Sequence, residues 1–142
     1  MNLNFSEQFV AMSLRTFHFF LLSNHYHLVE VNFQDKDGDG LRFHNNKRDL
    51  NIVIGFTPQI GRQPYFEIIF NGKLPGRILG GRKSFSVSKI LHLFSKYAEV
   101  KPEITKENMG DQMTRYLDFI KDYLMPVING EKWIDDILKE QR

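Results

Sequence analysis

The feature that most constrains the fold is an unbroken series of four strand-like segments between Tyr26 and Phe70. The segments read LVEVNF, LRFH, LNIVIGF and YFEIIF, and each alternates β-branched or aromatic side chains with other residues. They are separated by DKDGDG, NNKRD and TPQIGRQP, which are rich in turn-forming residues. Short connections and a two-residue period favour an antiparallel meander with one buried face.

Helical patterns flank this series of strands. Apolar residues at three- and four-residue steps predict a helix over 5–22, one from Ser86 or Ser88 through Tyr97, one over 113–124 and a last one from Trp133. The stretch between Asn71 and Lys83 is predicted to be a connection. The sequence therefore predicts a single α+β domain over residues 1–142. In it, a four-stranded antiparallel meander is packed by an N-terminal helix and two to three C-terminal helices.

The apolar content predicts an aromatic core. Phenylalanine accounts for 13 of the 142 residues, and each buried ring removes a large apolar area from water. The alternation within the strands and the spacing within the helices identify the positions that face inward. We expect Phe20, Ile54, Ile68 and Leu117 to be buried.

Several classes of protein are disfavoured by composition. The chain has no cysteine, which excludes a disulfide framework, a thiolate metal site and a cysteine nucleophile. The segment MNLNFSEQF lacks the basic start and cleavage site of a signal peptide. The longest apolar stretch, 9–22, contains Arg15 and His18 and is too short to span a bilayer. We expect a soluble cytoplasmic protein without a membrane segment.

The net charge of +2 conceals an uneven distribution of charge. Residues 71–98 contain six basic residues and no acidic one, whereas residues 99–142 contain seven basic and ten acidic residues. The basic segment has three open interpretations: it pairs with the acidic C-terminal segment, binds an acidic protein or follows nucleic-acid phosphates. The candidate partner-binding residues are Lys73, Arg77, Arg82 and Lys83.

Two short strings resemble ligand-binding loops but lack essential parts. DKDGDG places Asp35, Asp37 and Asp39 as in the start of an EF-hand loop, but Asn46 stands where that loop needs a glutamate. The flanking segments are strands, so a hairpin loop is the preferred interpretation. Gly76 and the string Gly81-Arg82-Lys83-Ser84 resemble a P-loop, except that an arginine separates the second glycine from the lysine. A solvated connection is preferred there.

No set of side chains predicts catalysis. His25 and His27 are two residues apart and supply two metal ligands at most. Glu30 and Glu67, on strands expected to be neighbours, are interpreted as solvent-facing positions or as a carboxylate pair. No nucleophile–base motif is present. We therefore expect a protein that is not an enzyme, with no catalytic residues, no cofactor and no metal.

The whole-chain pattern resembles a class of small bacterial proteins. The parts that carry this resemblance are the first helix with Phe9, Phe17 and Phe20, the segment LRFHNNKRDLNIVIGF, and the closing segment YLDFIKDYLMPVINGEKWI. Together they are similar to uncharacterised α+β proteins that resemble immunity proteins of polymorphic toxin systems. The resemblance implies a non-enzymatic protein that binds a toxin domain and masks its active site, and it transfers no binding residue.

The leading hypothesis is therefore a cytoplasmic protein-binding module, with a toxin-neutralising immunity protein as its specific form. The alternative is a nucleic-acid-associated protein that binds through residues 71–98. The sequence specifies neither the partner nor the oligomeric state.

Overall fold

The computed structural model describes residues 4–32, 40–59, 62–73 and 82–140. The described helices are α1 (Phe5–Ser13), α2 (Phe19–Ser23), α3 (Val87–Ile90), α4 (Met109–Tyr123), α5 (Met125–Ile128) and α6 (Ile134–Glu140). A π-helical turn (Leu14–His18) joins α1 to α2, and two 3-10 turns (Leu91–Leu93 and Ser95–Tyr97) follow α3. The described strands are β1 (His27–Asn32), β2 (Gly40–Asn45), β3 (Leu50–Gln59), β4 (Arg62–Lys73) and β5 (Arg82–Ser86). The predicted α+β class is confirmed.

The strands form an antiparallel sheet in the order β1-β2-β3-β4-β5, so each strand pairs with its neighbours along the chain. The meander that the short connections predicted is therefore present. Register irregularities occur between Leu28 and Glu30 in β1 and between Thr57 and Gln59 in β3. The second lies close to Pro58, whose missing N–H cannot join a hydrogen-bond ladder.

The prediction of four strands falls one short within the described residues, because β5 was interpreted as part of a connection. Only Phe85 in β5 is strongly apolar, and Arg82 and Lys83 give it the charged character common in edge strands. Strand β4 also continues through Asn71 and Gly72, which the sequence suggests as the start of a connection. Gly72 pairs with Leu50. A Cβ atom at Gly72 would lie 2.6 Å from Leu50 Cδ1 and 3.1 Å from the carbonyl oxygen of Asp49, so a larger residue there would force the Leu50 side chain to move.

One face of the sheet carries the core. Ile54 and Ile68 are directly paired and fully buried, as predicted. Phe20 and Leu117 are only partly buried and pack at the margin of the core, so those two predictions are wrong in degree. Both lie on helices. There the three- and four-residue spacing identifies a broad apolar stripe but does not show which of its residues lie at the fully buried centre.

Aromatic rings connect the helices to this face. Phe9 of α1 contacts Phe56 and Phe66 edge to face, with ring centroids 4.8 and 5.9 Å apart. Tyr116 of α4 packs on Phe66 at 4.7 Å. Edge-to-face pairs of this kind add to the free energy gained by burial alone. Helices α1 and α4 therefore cover the same side of the sheet.

The first helix begins at a capping box. The side chain of Asn4 accepts a hydrogen bond of 2.8 Å from the backbone N–H of Glu7, and Glu7 returns the interaction to the backbone of Asn4. This arrangement satisfies two of the N–H groups that a helix leaves free at its start. Asn4 is therefore the N-cap of α1.

The predicted helix from Ser86 to Tyr97 is shorter than expected. It ends at Ile90, and Phe94 adopts an extended backbone between the two 3-10 turns. The ring of Phe94 then packs against Phe119, and so does the ring of Tyr97, at centroid distances of 5.0 and 5.2 Å. The break allows both rings to reach the same part of α4.

A further segment, residues 102–104, pairs with the start of β4, where β5 does not reach. The N–H of Phe66 donates to the carbonyl of Pro102 at 2.7 Å, and the N–H of Ile104 donates to the carbonyl of Pro64 at 3.0 Å. These bonds occupy the start of the β4 edge, which β5 does not reach. Most of the length of β4 is therefore protected on this side.

Candidate functional site

Of the four predicted basic binding residues, the structure describes the side chains of Arg82 and Lys83, both in β5. Arg82 and Lys83 are consecutive in β5, and consecutive side chains of a strand point to opposite faces. Arg82 pairs in register with Lys73 and Lys83 with Gly72. Arg77 and the side chain of Lys73 lie outside the described residues. A single patch containing both Arg82 and Lys83 is therefore confined to the edge of the sheet.

Arg82 is held by partners within the chain. Its Nη1 lies 2.9 Å from Oδ2 of Asp49, and its Nε donates to Oδ1 of Asn71 at 2.8 Å. Asp49 has a positive φ of 48° at the end of the β2–β3 turn, which brings its carboxylate to β5. Arg82 is thus paired within the chain, but with Asp49 and not with the acidic C-terminal segment that the sequence suggests.

Lys96 does pair with the acidic C-terminal segment. Its Nζ lies 3.0 Å from Oδ2 of Asp122, and the hydroxyl of Tyr97 donates to the same oxygen at 2.6 Å. Two hydrogen bonds lower the pKa of the Asp122 carboxyl, and the one from Tyr97 has a larger effect than the one from Lys96. This cluster ties the 3-10 turns to α4, so its role is structural.

The histidines are dispersed. His25 precedes β1 with a positive φ of 70°, whereas His27 begins that strand, so the two histidines do not share a strand face. His27 pairs with His44, whose Nδ1 lies 2.8 Å from Oδ1 of Asn51. Within residues 4–32, 40–59, 62–73 and 82–140, no three histidine or carboxylate side chains are placed to hold a metal ion.

Both loop-like strings fall largely outside the described residues. Asp35, Asp37 and Asp39 are in the undescribed part of DKDGDG, and Gly40 already belongs to β2. The strands on either side agree with the hairpin interpretation. Arg82 and Lys83 lie in a strand, whereas a P-loop places its lysine at the start of a helix.

The face of the sheet opposite the helices carries the strongest candidate site. We call it the open face; it presents the alternate residues that point away from the core. Register places these residues in rows across the strands. One row is Asn32–Gly40–Gly55–Glu67, the next is Glu30–Arg42–Val53–Ile69–Ser86, and a third is His27–His44–Asn51–Asn71–Ser84.

A groove with a volume of about 240 Å³ lies across the first two rows. Gly40 and Gly55 are directly paired and lack side chains, so the floor is lowest where they meet. We call this the glycine groove. Its lining comprises Glu30, Asn32, Gly40, Leu41, Arg42, Val53, Gly55, Phe56, Thr57, Glu67 and Ile69.

The charges around the glycine groove are unbalanced. Arg42 Nε donates to Oε2 of Glu30 at 3.2 Å, and both side chains are about half exposed. Glu67 is half-buried and has neither a hydrogen bond nor an ion pair with any residue that the structure describes. Glu30 and Glu67 line the same groove, but β1 and β4 are separated by β2 and β3, so they are not the pair on adjacent strands that the sequence suggested.

Sequence reasoning missed this groove because its floor depends on register. Gly40 was assigned to a turn and Gly55 was simply an interruption in LNIVIGF. Glycine inside a strand signals close approach by another group or a recessed surface, and Gly55 carried that signal. That Gly55 lies directly opposite Gly40 on the adjacent strand is known only from the register of the two strands.

No protein-family model, curated protein or solved structure matches this chain. Within the described ranges, no helix combines the length and apolar character needed to cross a bilayer.

Proposed function

We propose that this protein is a non-enzymatic protein-binding module and that the open face is its principal interface. The observation that carries the proposal is the combination of a sheet face on which none of the described helices packs with a recessed, unevenly charged groove. Helices α1 and α4 are packed on the opposite side. A face of this kind offers a rigid, pre-formed surface, which reduces the entropy cost of association.

The composition of the open face supports a protein partner. Val53 and Ile69 are paired at its centre, and amide, hydroxyl and charged side chains surround them. An apolar centre with a polar rim is typical of protein–protein interfaces. The carboxylates of Glu30 and Glu67 would repel nucleic-acid phosphates, and Arg82 is engaged by Asp49. The nucleic-acid alternative therefore receives less support from this surface.

The specific form we propose is that of an immunity-like protein, which neutralises a toxin domain by covering its active site. The whole-chain resemblance favours this form, and the open face supplies a surface on which masking would act. The mechanism would be steric, with charged groups on the rim fixing the orientation of the partner and accelerating encounter.

The test is a pair of charge insertions on opposite sides of the molecule. The open-face variant carries Val53→Glu with Ile69→Glu, and the control carries Leu93→Glu at a residue that is 59% exposed away from the groove. Proteins captured from the source organism by the parent chain are purified and their dissociation constants measured for each variant. We expect at least a tenfold loss of affinity for the open-face variant, about 1.4 kcal/mol, and little change for the control.

Two results would contradict the proposal. Equal affinity of the parent and the open-face variant, with the variant still folded by circular dichroism, would place the interface elsewhere. A partner whose own activity is unchanged when bound would reject the masking mechanism and the immunity-like role, while leaving a binding role in place.

A further inference from the structure

The glycine groove has the dimensions of a site for one side chain. The row Asn32–Gly40–Gly55–Glu67 crosses four strands, so its end residues are separated by three strand spacings, on the order of 14 Å. The volume of about 240 Å³ is below the ~300–1,000 Å³ of pockets that hold small-molecule ligands. The groove therefore suits a group projected from a larger partner.

The floor of the groove is backbone rather than side chain. A Cβ atom at Gly40 would lie 3.1 Å from the carbonyl oxygen of Ile54, so a larger residue there would crowd the neighbouring strand as well as fill the groove. Gly55 extends the same flat floor towards Glu67. A planar group can therefore lie against the sheet and reach Glu67 from the side.

The charge of the groove selects a cation. Among the described residues, its lining includes the carboxylates of Glu30 and Glu67 and one guanidinium, that of Arg42. Arg42 is already bound to Glu30 at 3.2 Å, so the half-buried carboxylate of Glu67 is left without a partner charge among the residues that the structure describes. Because the effective dielectric is lower at a partly buried site than in bulk water, a cation is attracted to this carboxylate more strongly than to an exposed one.

We infer that the glycine groove receives an arginine side chain of the protein partner, with the guanidinium paired to Glu67. A guanidinium is planar, is weakly hydrated and donates two parallel hydrogen bonds to a carboxylate, which matches a flat floor bordered by one free carboxylate. The hydroxyl of Thr57, which also lines the groove, offers a further acceptor. This inference rests on the proposed function, because it names the group by which the open face recognises its partner.

The inference can be tested without knowledge of the partner. The probe is N-acetyl-arginine-N-methylamide, titrated to millimolar concentration and followed by amide chemical shifts. We expect saturating shifts at Gly40, Gly55 and Glu67, and none with the isosteric, uncharged citrulline compound. Glu67→Gln should weaken the apparent affinity at least tenfold. The matched control Glu99→Gln, an exposed glutamate outside the groove, should leave the affinity unchanged.

Several results would overturn the inference. Equal shifts with the citrulline compound, shifts located elsewhere on the molecule, or unchanged affinity in Glu67→Gln would each reject a charge-selective groove. Equal affinity for the corresponding lysine compound would reject the choice of arginine. A dispersed amide spectrum of Glu67→Gln establishes that the variant is folded. Glu67→Asp, which keeps the charge on a shorter side chain, should bind the arginine compound better than Glu67→Gln does.

The captured partner separates this inference from the proposed function. If Val53→Glu with Ile69→Glu abolishes partner binding but Glu67→Gln does not change it, the arginine site is rejected and the open-face interface stands. If neither variant changes partner binding, the proposed interface is rejected, and the compound titration alone reports on the groove.

Discussion

The hydroxyl of Tyr26 donates a hydrogen bond of 2.7 Å to the carbonyl oxygen of Ile128. Tyr26 immediately precedes β1, and Ile128 ends α5, so the bond joins residues that are 102 positions apart. Nη1 of Arg48 donates to the same carbonyl oxygen at 3.0 Å. Burial is the main cause that raises the pKa of Tyr26, to about 12, so the phenol keeps its proton at neutral pH and remains a donor.

Removal of this hydroxyl should weaken the fold modestly. We expect Tyr26→Phe to lower the free energy of unfolding by about 0.5–1.5 kcal/mol, the net contribution of a typical hydrogen bond. The loss stays in this range because Arg48 continues to satisfy the carbonyl oxygen of Ile128. Urea denaturation followed by circular dichroism measures the difference. A loss above about 3 kcal/mol would mean that the ring itself is displaced.

Tyr116 provides the matched control for this substitution. It is fully buried like Tyr26, but its hydroxyl has no hydrogen-bond partner among the described residues. Burial of an unsatisfied hydroxyl carries a desolvation cost, so Tyr116→Phe should be neutral or stabilising. Destabilisation of both variants to the same extent would show that the hydrogen bond of Tyr26 is not the cause.

The contacts of Tyr97 and Lys96 with Asp122 should make the free energy of unfolding depend on pH in the acidic range. The pKa of Asp122 is lowered in the folded protein by Tyr97 and Lys96, so its stabilising effect is present above the unfolded pKa of about 4. That effect is lost as the pH falls through the lower, folded-state pKa. We expect Asp122→Asn to reduce stability at pH 7 and to flatten its decline below pH ~4. Thermal melts from pH 2 to 7 measure this.

Asp118→Asn is the control for that experiment, because it removes an exposed carboxylate on the same helix that acts on Lys96 and Tyr97 through space but hydrogen-bonds to neither. Its melting temperatures should follow those of the parent across the pH range. An identical flattening in both variants would assign the acid dependence to the overall charge of α4 rather than to the Tyr97–Asp122–Lys96 contacts.

Charge reversal should distinguish the two adjacent cations of β5. Arg82→Glu breaks the ion pair with Asp49 and places two carboxylates close together, so we expect a loss of about 1 kcal/mol. Lys83→Glu changes an exposed residue and should alter stability by less than about 0.5 kcal/mol. Urea denaturation of each variant gives the values. If Asp49→Asn does not reduce the cost of Arg82→Glu, the ion pair is not responsible.

The two faces of β3 should respond differently to truncation. Ile54 is fully buried, so Ile54→Ala should cost on the order of 2–5 kcal/mol from lost burial and the cavity that remains. Val53 lies on the open face and is half-buried, so Val53→Ala should cost about 1 kcal/mol or less. Equal losses in chemical denaturation would mean that the open face is covered by another part of the protein.

The fold was largely readable from the sequence because alternation reports which face of a strand is buried. Ile54 and Ile68 were placed correctly by this rule alone. Strand β5 was missed because it is an edge strand, where one apolar residue, Phe85, suffices and charged residues are favoured.

The candidate site was not readable in the same way. Arg82 and Lys83 looked like one basic patch because they are adjacent in sequence, yet a strand sends them to opposite faces. The glycine groove requires Gly40 to meet Gly55. Local patterns specify which residues face solvent, whereas this coincidence is set by the register of two strands.

During synthesis on the ribosome, the described strands emerge before the helix that covers part of their apolar face. The last of the described strands ends at Ser86, whereas α4, which covers part of the core face, begins at Met109. Until α4 has been made, Phe66 lacks its contact with the ring of Tyr116. Exposed apolar surface of this kind promotes aggregation of nascent chains. At ~5–20 residues per second, translation of the intervening segment takes on the order of seconds. Slow translation or truncation between β5 and α4 would prolong the exposure of this apolar surface and so increase the need for molecular chaperones.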